Sequence, residues 1–455
     1  MKNTAFRGPI EAALPFEHGQ TSDKWKAVPF LILMFASGLP LNYDLAESRP
    51  MTVADVAGLT SDATAMSNSG SSILFVFFLA GLYALSGIML MHRPKTVIAM
   101  FRRQWPLACL MILVASSVLW SMRPEKTMLS AVHLFGILLI ATAAALHYRH
   151  DPWSLPKHLS YLLGINMVLQ VGAALSMPSY AIDWQGRWQG LTSHPNTLGA
   201  LAYTTLWANC VMLICRRPGS PYPHVAFALL AAVAMLEANS VTSIVTTLCC
   251  LLGIVVMAKL AGLGVRRKFF VGLLIIAGAT ILITCLIASQ FDMGWVLESF
   301  GRDSNFTGRT SVWEDALSAI SRRPLLGWSF DDHAFLIETE NMPYPTYHNG
   351  WLDLCVSGGL VSIILFLSLI ATWAGAFFRR GGVAAAMMPF SIPFVIGYMV
   401  HNLTEASLLA ARGQMWQIFL VLVLLGSCRS APDALRTMRL RASGAGIQYR
   451  NDVDP

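Results

Sequence analysis

The sequence predicts an all-α polytopic membrane protein with about 12 transmembrane helices and one long loop outside the cytoplasm. Three observations predict it. Of 455 residues, 55% are hydrophobic and only 13% are charged, whereas a soluble domain carries roughly 25% charged residues. The apolar residues come in runs close to the ~20 that a hydrocarbon core of ~30 Å requires. Basic residues sit in short groups between those runs, which is how helices are oriented in a bilayer.

The spans are expected, in order, at 27–45, 71–91, 105–121, 127–147, 159–177, 195–215, 225–236, 241–259, 269–289, 351–376, 383–400 and 415–428. The first follows Lys24 and Lys26. Its leader, 1–26, carries Glu11, Glu17 and Asp23 with no small-residue cleavage site after it, so it reads as a retained tail and not as a signal peptide. The seventh span is short, with Glu237 to Ser240 as its turn, and an eleven-span reading in which it only dips into the membrane stands beside the twelve-span one. With an even number, both ends share one side. That side, with the loops at 92–104, 148–158, 216–224, 260–268 and 377–382 and with Lys259, holds 23 of the 32 basic residues. The other side holds Arg49, Arg123, Lys126, Arg187, Arg302, Arg309, Arg322, Arg323 and Arg412. The positive-inside rule then puts 1–26 and 429–455 in the cytoplasm as tails, flanking a membrane domain over 27–428. It also puts the longest loop, 290–350, outside; loops of that length are either functional or disordered, and tryptophans with a helical pattern speak for function.

Composition excludes several classes. The eight cysteines lie in or beside apolar runs without the spacing of a zinc site or disulfide framework, and read as buried thiols. The net charge of +7 is spread between spans, so no nucleic-acid partner is expected.

Candidate chemistry gathers in the external segments. In "GRTSVWEDALSAISRRPLLG", Ser311 and Glu314 fit a capping box. Val312, Trp313, Ala316, Leu317 and Ile320 then recur at helical spacing. A short amphipathic helix is expected from about Ser311 to just before Pro324, with Arg309 immediately ahead of it. Backbone N–H groups at a helix start together with a guanidinium hold phosphate well; the plainer reading of Arg309 is a solvated loop arginine. His348 follows "MPYPTY" and precedes span ten, where an imidazole at the water–lipid boundary can take a proton near neutral pH. Its plainer reading is an interfacial residue capping the helix beside Trp351. In "DWQGRWQGLTSHPNTLGALAY", Arg187 lies between Trp184 and Trp188, which suits cation–π anchoring or an anion beside a sugar, and His194 and Asn196 mark the entrance to span six. Asn349 and Asp353 are i, i+4 neighbours that can bond one another. Glu237 and Asp353 border spans, where acids are costly. Asp331, Asp332, His333 and Glu338 lack a recognisable ligand spacing, so no metal is expected.

At these residues the chain resembles the O-antigen ligase and Wzy-type polysaccharide polymerase superfamily. The resemblance rests on Gly308, Arg309 and Trp313, on Pro324 to Gly327, on His348 and Asn349 in "HNGWLDL" with "GGL" after it, on "HPNTLGALAY", and on Trp120 and Ser121 with Pro124. It implies a membrane-embedded glycosyltransferase, GT-C-like in architecture, in the bacterial inner membrane with its active site facing the periplasm. The donor would be an undecaprenyl-diphosphate-linked oligosaccharide, and the acceptor a growing glycan or lipid A–core. Arg187 and Arg309 would hold the diphosphate, His348 would assist the acceptor, and Trp313, His194, Asn196, Asn349 and Asp353 would support them. No cofactor is implied, and a chain-length regulator is a further expected partner. One base without a carboxylate nucleophile fits inverting displacement, and two arginines can take the place of a metal at the departing phosphate. The "HNGWLD" form leans toward exopolysaccharide polymerisation over ligation. A transporter or flippase of lipid-linked glycans is the rival reading from another class, although no paired halves or midplane charges support it.

Overall fold

A computed structural model describes residues 25–39, 73–288, 309–330, 346–379, 383–410 and 413–428. Among the described residues the regular structure is helical, in keeping with the predicted class, and the only β-type pairing is an isolated bridge between Ile182 and Trp188. In chain order the helices are α1 (Val28–Ala36), α2 (Ile73–Met91), α3 (Pro94–Arg103), α4 (Trp105–Ser116), α5 (Pro124–Tyr148), α6 (Ser154–Ser176), α7 (Pro195–Ile214), α8 (Tyr222–Glu237), α9 (Val241–Lys259), α10 (Val265–Ala288), α11 (Arg309–Arg322), α12 (Gly350–Ala376), α13 (Ala384–His401) and α14 (Gln414–Ser427).

Each segment expected to span holds one of these helices. Their lengths, however, divide them. Among the described residues α5, α6, α7, α9, α12 and α13 are long and apolar enough to cross a membrane, and α2 with α3 makes a seventh if that bent pair is one span. Proline sets several starts, since it lacks the N–H that a first turn cannot use: Pro94, Pro124 and Pro195 open α3, α5 and α7. The stretch read as a loop at 92–104 contains a helix, α3, which turns 102° away from α2. Its Val97, Met100 and Phe101 pack on the core while Lys95 and Arg102 face out, so the same ten residues carry both a buried stripe and the basic charge.

Helix α14 is buried from Met415 to Ser427. Its 14 residues reach about 21 Å at 1.5 Å per residue, less than a bilayer core. It packs against α5, α12 and α13, so its surroundings are protein and lipid thickness does not set its length. Apolar side chains on the outer helices, such as Phe77, Ile112, Leu248 and Ile364, are exposed, as a lipid-facing belt requires.

Polar groups inside the bundle join elements that the site depends on. Asn166 Nδ2 donates to the Phe35 carbonyl at 2.8 Å, and Gln170 Nε2 to that of Gly38 at 2.6 Å. The Leu191 N–H returns to Gln170 Oε1 at 2.7 Å. In an apolar interior an unmet amide costs several kcal/mol, so these bonds fix the loop before α7 to the end of α1. Tyr203 and Trp207 of α7 donate to the carbonyls of Phe394 and Phe390 in the α13 segment that contains Pro389 and Pro393, where the helix's own ladder is interrupted.

Helix α12 is two helices in register with a break. Gly359 has φ 63° and ψ −166°, a conformation almost confined to glycine. The loop after α11 fills the break: Leu360 N–H donates to Pro324 O at 2.8 Å, Val361 N–H to Leu325 O at 3.2 Å, and Trp328 N–H to Val356 O at 2.8 Å. "PLLG" and "GGL" are thus the two halves of one joint, which hangs α11 on α12.

Candidate active site

The site is assembled at the bundle end where α7, α9 and α12 begin and α13 finishes. The loop between α6 and α7 folds tightly around Asp183. Its Oδ1 accepts the N–H groups of Gln185 and Arg187 at 2.9 Å each, and Gly186, at φ 78°, makes the turn. Its Oδ2 meets Arg187 Nε at 2.9 Å and Nη2 at 2.8 Å. The forked bond on Asp183 is what orients Arg187; the expected stacking with Trp184 and Trp188 is not what holds it. Trp184 is exposed, and the Trp188 N–H is tied to Glu237 O at 3.0 Å.

His194 caps α7 by accepting the Asn196 N–H on Nδ1 at 3.1 Å. Burial, then the nearby Arg187 charge, hold its imidazole below the ordinary value of 6.5, with Glu405 and Asp183 opposing and His348 adding to the depression. Arg187, Asp183, Glu405 and His348 are the charged and titratable groups within electrostatic reach of it. A neutral imidazole is what the cap needs, because a protonated Nδ1 cannot accept.

His348 is held from both sides. Its φ is +50°, uncommon for a residue with a side chain, and the neighbours enforce it. On one side, Tyr347 is buried with Val312, Ala316, Ala319 and Val356. Its N–H donates to Asp353 Oδ1 at 2.9 Å and its carbonyl accepts Trp313 Nε1–H at 3.1 Å. On the other, Asn349 Oδ1 accepts the Trp351 and Leu352 N–H groups as the α12 cap, while its Nδ2 donates to Leu403 O at 3.0 Å. Asn349 and Asp353 therefore act on backbone on either side of His348 and not as the side-chain pair their spacing suggested. Gly350 follows, its N–H shared between Asn402 O at 2.9 Å and Glu405 O at 3.0 Å. A side chain there would collide with the Asn402 side chain, so "HNG" needs its glycine.

The turn from Asn402 to Ser407 supplies a residue that sequence reasoning missed. Glu405 Oε1 accepts Asn196 Nδ2–H at 2.8 Å, and its Oε2 lies 3.9 Å from His348 Nδ1. Its carboxylate joins the heads of α7 and α12, with 14% of the side chain exposed. Its signal in the sequence is an acid in the short link between two apolar spans, outside any motif.

The backbone places Arg309 as the first residue of α11, two positions before the expected start. Its side chain and that of Ser311, on which the capping box depends, lie outside the described residues, as do Asp331, Asp332, His333 and Glu338. Trp313 donates its indole N–H to the Tyr347 carbonyl next to His348. Arg323 lies over the Trp328 ring at 4.2 Å, and Ser121, Thr127 and Ser329 share hydroxyl bonds of 2.7–3.4 Å, which ties the Trp120–Ser121 motif to the same joint.

Residues 226–367 match the family model described as O-antigen ligase. The match supports a likeness to the O-antigen ligase and Wzy-type superfamily over that region. It is 29% identical over 168 residues to the exopolysaccharide production protein ExoQ of Rhizobium meliloti, covering 33% of this chain and 37% of that protein. It is 26% identical over 210 residues to an O-antigen ligase of Pseudomonas aeruginosa, covering 45% and 46%. The chain thus matches less than half the length of either relative. The superfamily region takes in α11 and the His348 turn, while Arg187, His194, Asn196 and Glu405 lie outside it and join the site through the fold.

Proposed function

We propose that the protein is a glycosyltransferase that moves a glycan from an undecaprenyl-diphosphate-linked donor to an acceptor sugar hydroxyl at the periplasmic surface of the inner membrane, polymerising repeat units of an exopolysaccharide or O-antigen. The observation that carries this reading is the convergence of His348, Glu405, Asn196 and the Arg187–Asp183 pair on one end of an apolar bundle, where a lipid-anchored donor can present its headgroup.

The acceptor oxygen attacks the anomeric carbon, the carbon–oxygen bond to the diphosphate breaks, and the acceptor proton passes to His348. Negative charge grows on the departing diphosphate, where fixed cations stabilise it. Arg187 is already oriented by Asp183, and Arg309 heads α11. A ligase reading, in which the acceptor is lipid A–core, draws on the family model and the Pseudomonas relative. Purified protein in nanodiscs, given a lipid-linked repeat alone, separates the two: a ladder of lengthened products supports polymerisation. Product formed only after lipid A–core is added replaces it with ligation, and movement of the donor across the membrane without any new glycosidic bond would leave a flippase.

A further inference from the structure

We propose that Glu405 is a positioning residue: its carboxylate selects the tautomer of His348 that carries its proton on Nδ1, which leaves Nε2 as the atom that takes the acceptor proton. The inference rests on the reading of His348 as the base and adds what sets that base.

The carboxylate approaches the Nδ1 edge of the ring. Oε2 of Glu405 lies 3.9 Å from Nδ1 of His348, within ion-pair reach though longer than a hydrogen bond; an ionised carboxylate only accepts, so its field favours a proton on Nδ1 and leaves the lone pair on Nε2. The carboxylate cannot turn away freely. Its other oxygen is bonded to Asn196 Nδ2. Its backbone carbonyl takes the N–H of Gly350, two residues from His348, and its own N–H donates to His401 O at 3.0 Å. Thr404 beside it shares a hydroxyl bond of 2.8 Å with Thr242 at the head of α9. Three helix starts therefore fix where this carboxylate stands. A histidine held by a carboxylate on one nitrogen and working through the other is a recurrent solution for proton transfer.

Three variants separate orientation from packing. Glu405→Asp keeps the charge on a shorter arm. Glu405→Ala removes the group. Glu405→Gln keeps the shape, but with its oxygen still accepting from Asn196 its NH₂ would face Nδ1 and donate to it, selecting the tautomer with no lone pair on Nε2. The expected order of transfer rates is wild type, Asp, then Ala, with Gln no better than Ala; Gln should fall by at least ~10²-fold, within the worth of a correctly presented base. KM for the lipid-linked donor should change less than threefold in all three, and ¹⁵N spectra of histidine-labelled protein should move the His348 signal, assigned by its loss in His348→Ala, from the Nδ1–H to the Nε2–H pattern in Gln. A Gln variant with near-normal turnover, or with the wild-type tautomer, overturns the inference. Loss of turnover in His348→Ala alongside normal Glu405 variants would sink this inference alone, whereas normal turnover in His348→Ala would remove the base itself.

Discussion

Alanine at Gly359 should break the joint that carries α11. The residue sits at φ 63° and ψ −166°, where a residue with a Cβ is strained by about 1–3 kcal/mol. The added methyl would also lie against the backbone of Leu325 and Leu326. Backbone cannot swing aside as a side chain can, so the loop must lift from α12. Lifting it gives up the bonds from Leu360 N–H to Pro324 O and from Val361 N–H to Leu325 O, worth about 1 kcal/mol each. The expected loss is about 3–5 kcal/mol, a large part of the ~5–15 kcal/mol that a folded domain holds. A thiol-reactive dye can follow thermal unfolding in detergent, because Cys249 and Cys250 are buried and react once the bundle opens. Gly375→Ala is the control: it lies in the same helix with open space around its Cβ position and should unfold at or above the wild-type temperature, as helix propensity directs. A Gly359→Ala protein that melts with wild type and transfers glycan normally would refute the reasoning.

Arg309→Lys should be nearly as damaging to transfer as Arg309→Ala, because lysine keeps the charge and loses the planar fork; full activity at normal protein level would reduce Arg309 to a point charge. His348→Ala should lower transfer by roughly 10²- to 10⁴-fold with donor-lipid binding retained, and unchanged rates in purified protein would return His348 to a structural role. His194, held neutral in the fold, gives a pH signature. Below its ordinary value of 6.5 the unfolded chain takes up a proton that the folded one resists, so stability is full above that value and falls as pH drops toward the lower folded value. His194→Asn, which caps without titrating, should flatten part of that decline in melting temperature as pH falls below 6.5, and an unchanged slope would show that the cap is not its source. A reporter at Glu340 should be active only outside the cytoplasm, and cytoplasmic activity would invert the proposed topology.

The helices were legible because apolar runs of the right length have few other solutions in lipid. What hydropathy missed was α3, whose basic residues alternate with Val97, Met100 and Phe101 at helical spacing and so dilute the average. Helix α11 was readable from the recurrence of Val312, Ala316 and Ile320, and its attachment was not, because the Gly359 break that receives Pro324 and Leu325 is a pairing between residues 36 positions apart, Leu360 with Pro324 and Val361 with Leu325. The site divides in the same way. His348 and Arg187 could be found by residue type and place along the chain. Asp183 and Glu405 act only through approach: one by closing a turn upon Arg187, the other by reaching from the α13–α14 link to two helix heads. Asn349 and Asp353 were expected to bond one another, and each instead bonds backbone beside His348. Helical spacing brings two side chains near, but a cap's demand for an acceptor and Tyr347's buried N–H claimed them first.

The buried position of α14 bears on how the bundle comes together. Synthesis runs from α1 onward, and the helix that the others enclose is released after α5, α7, α12 and α13, against which it packs. Until it arrives those helices lack the partner that α14 supplies to all of them, although α9 already joins α7 to α13. The Asn402–Ser407 turn, and Glu405 with it, is the tether of this late arrival. Closure of the bundle around α14 and placement of the carboxylate beside His348 are then one event, and a chain still short of it would have its earlier helices in the bilayer but an unfinished site.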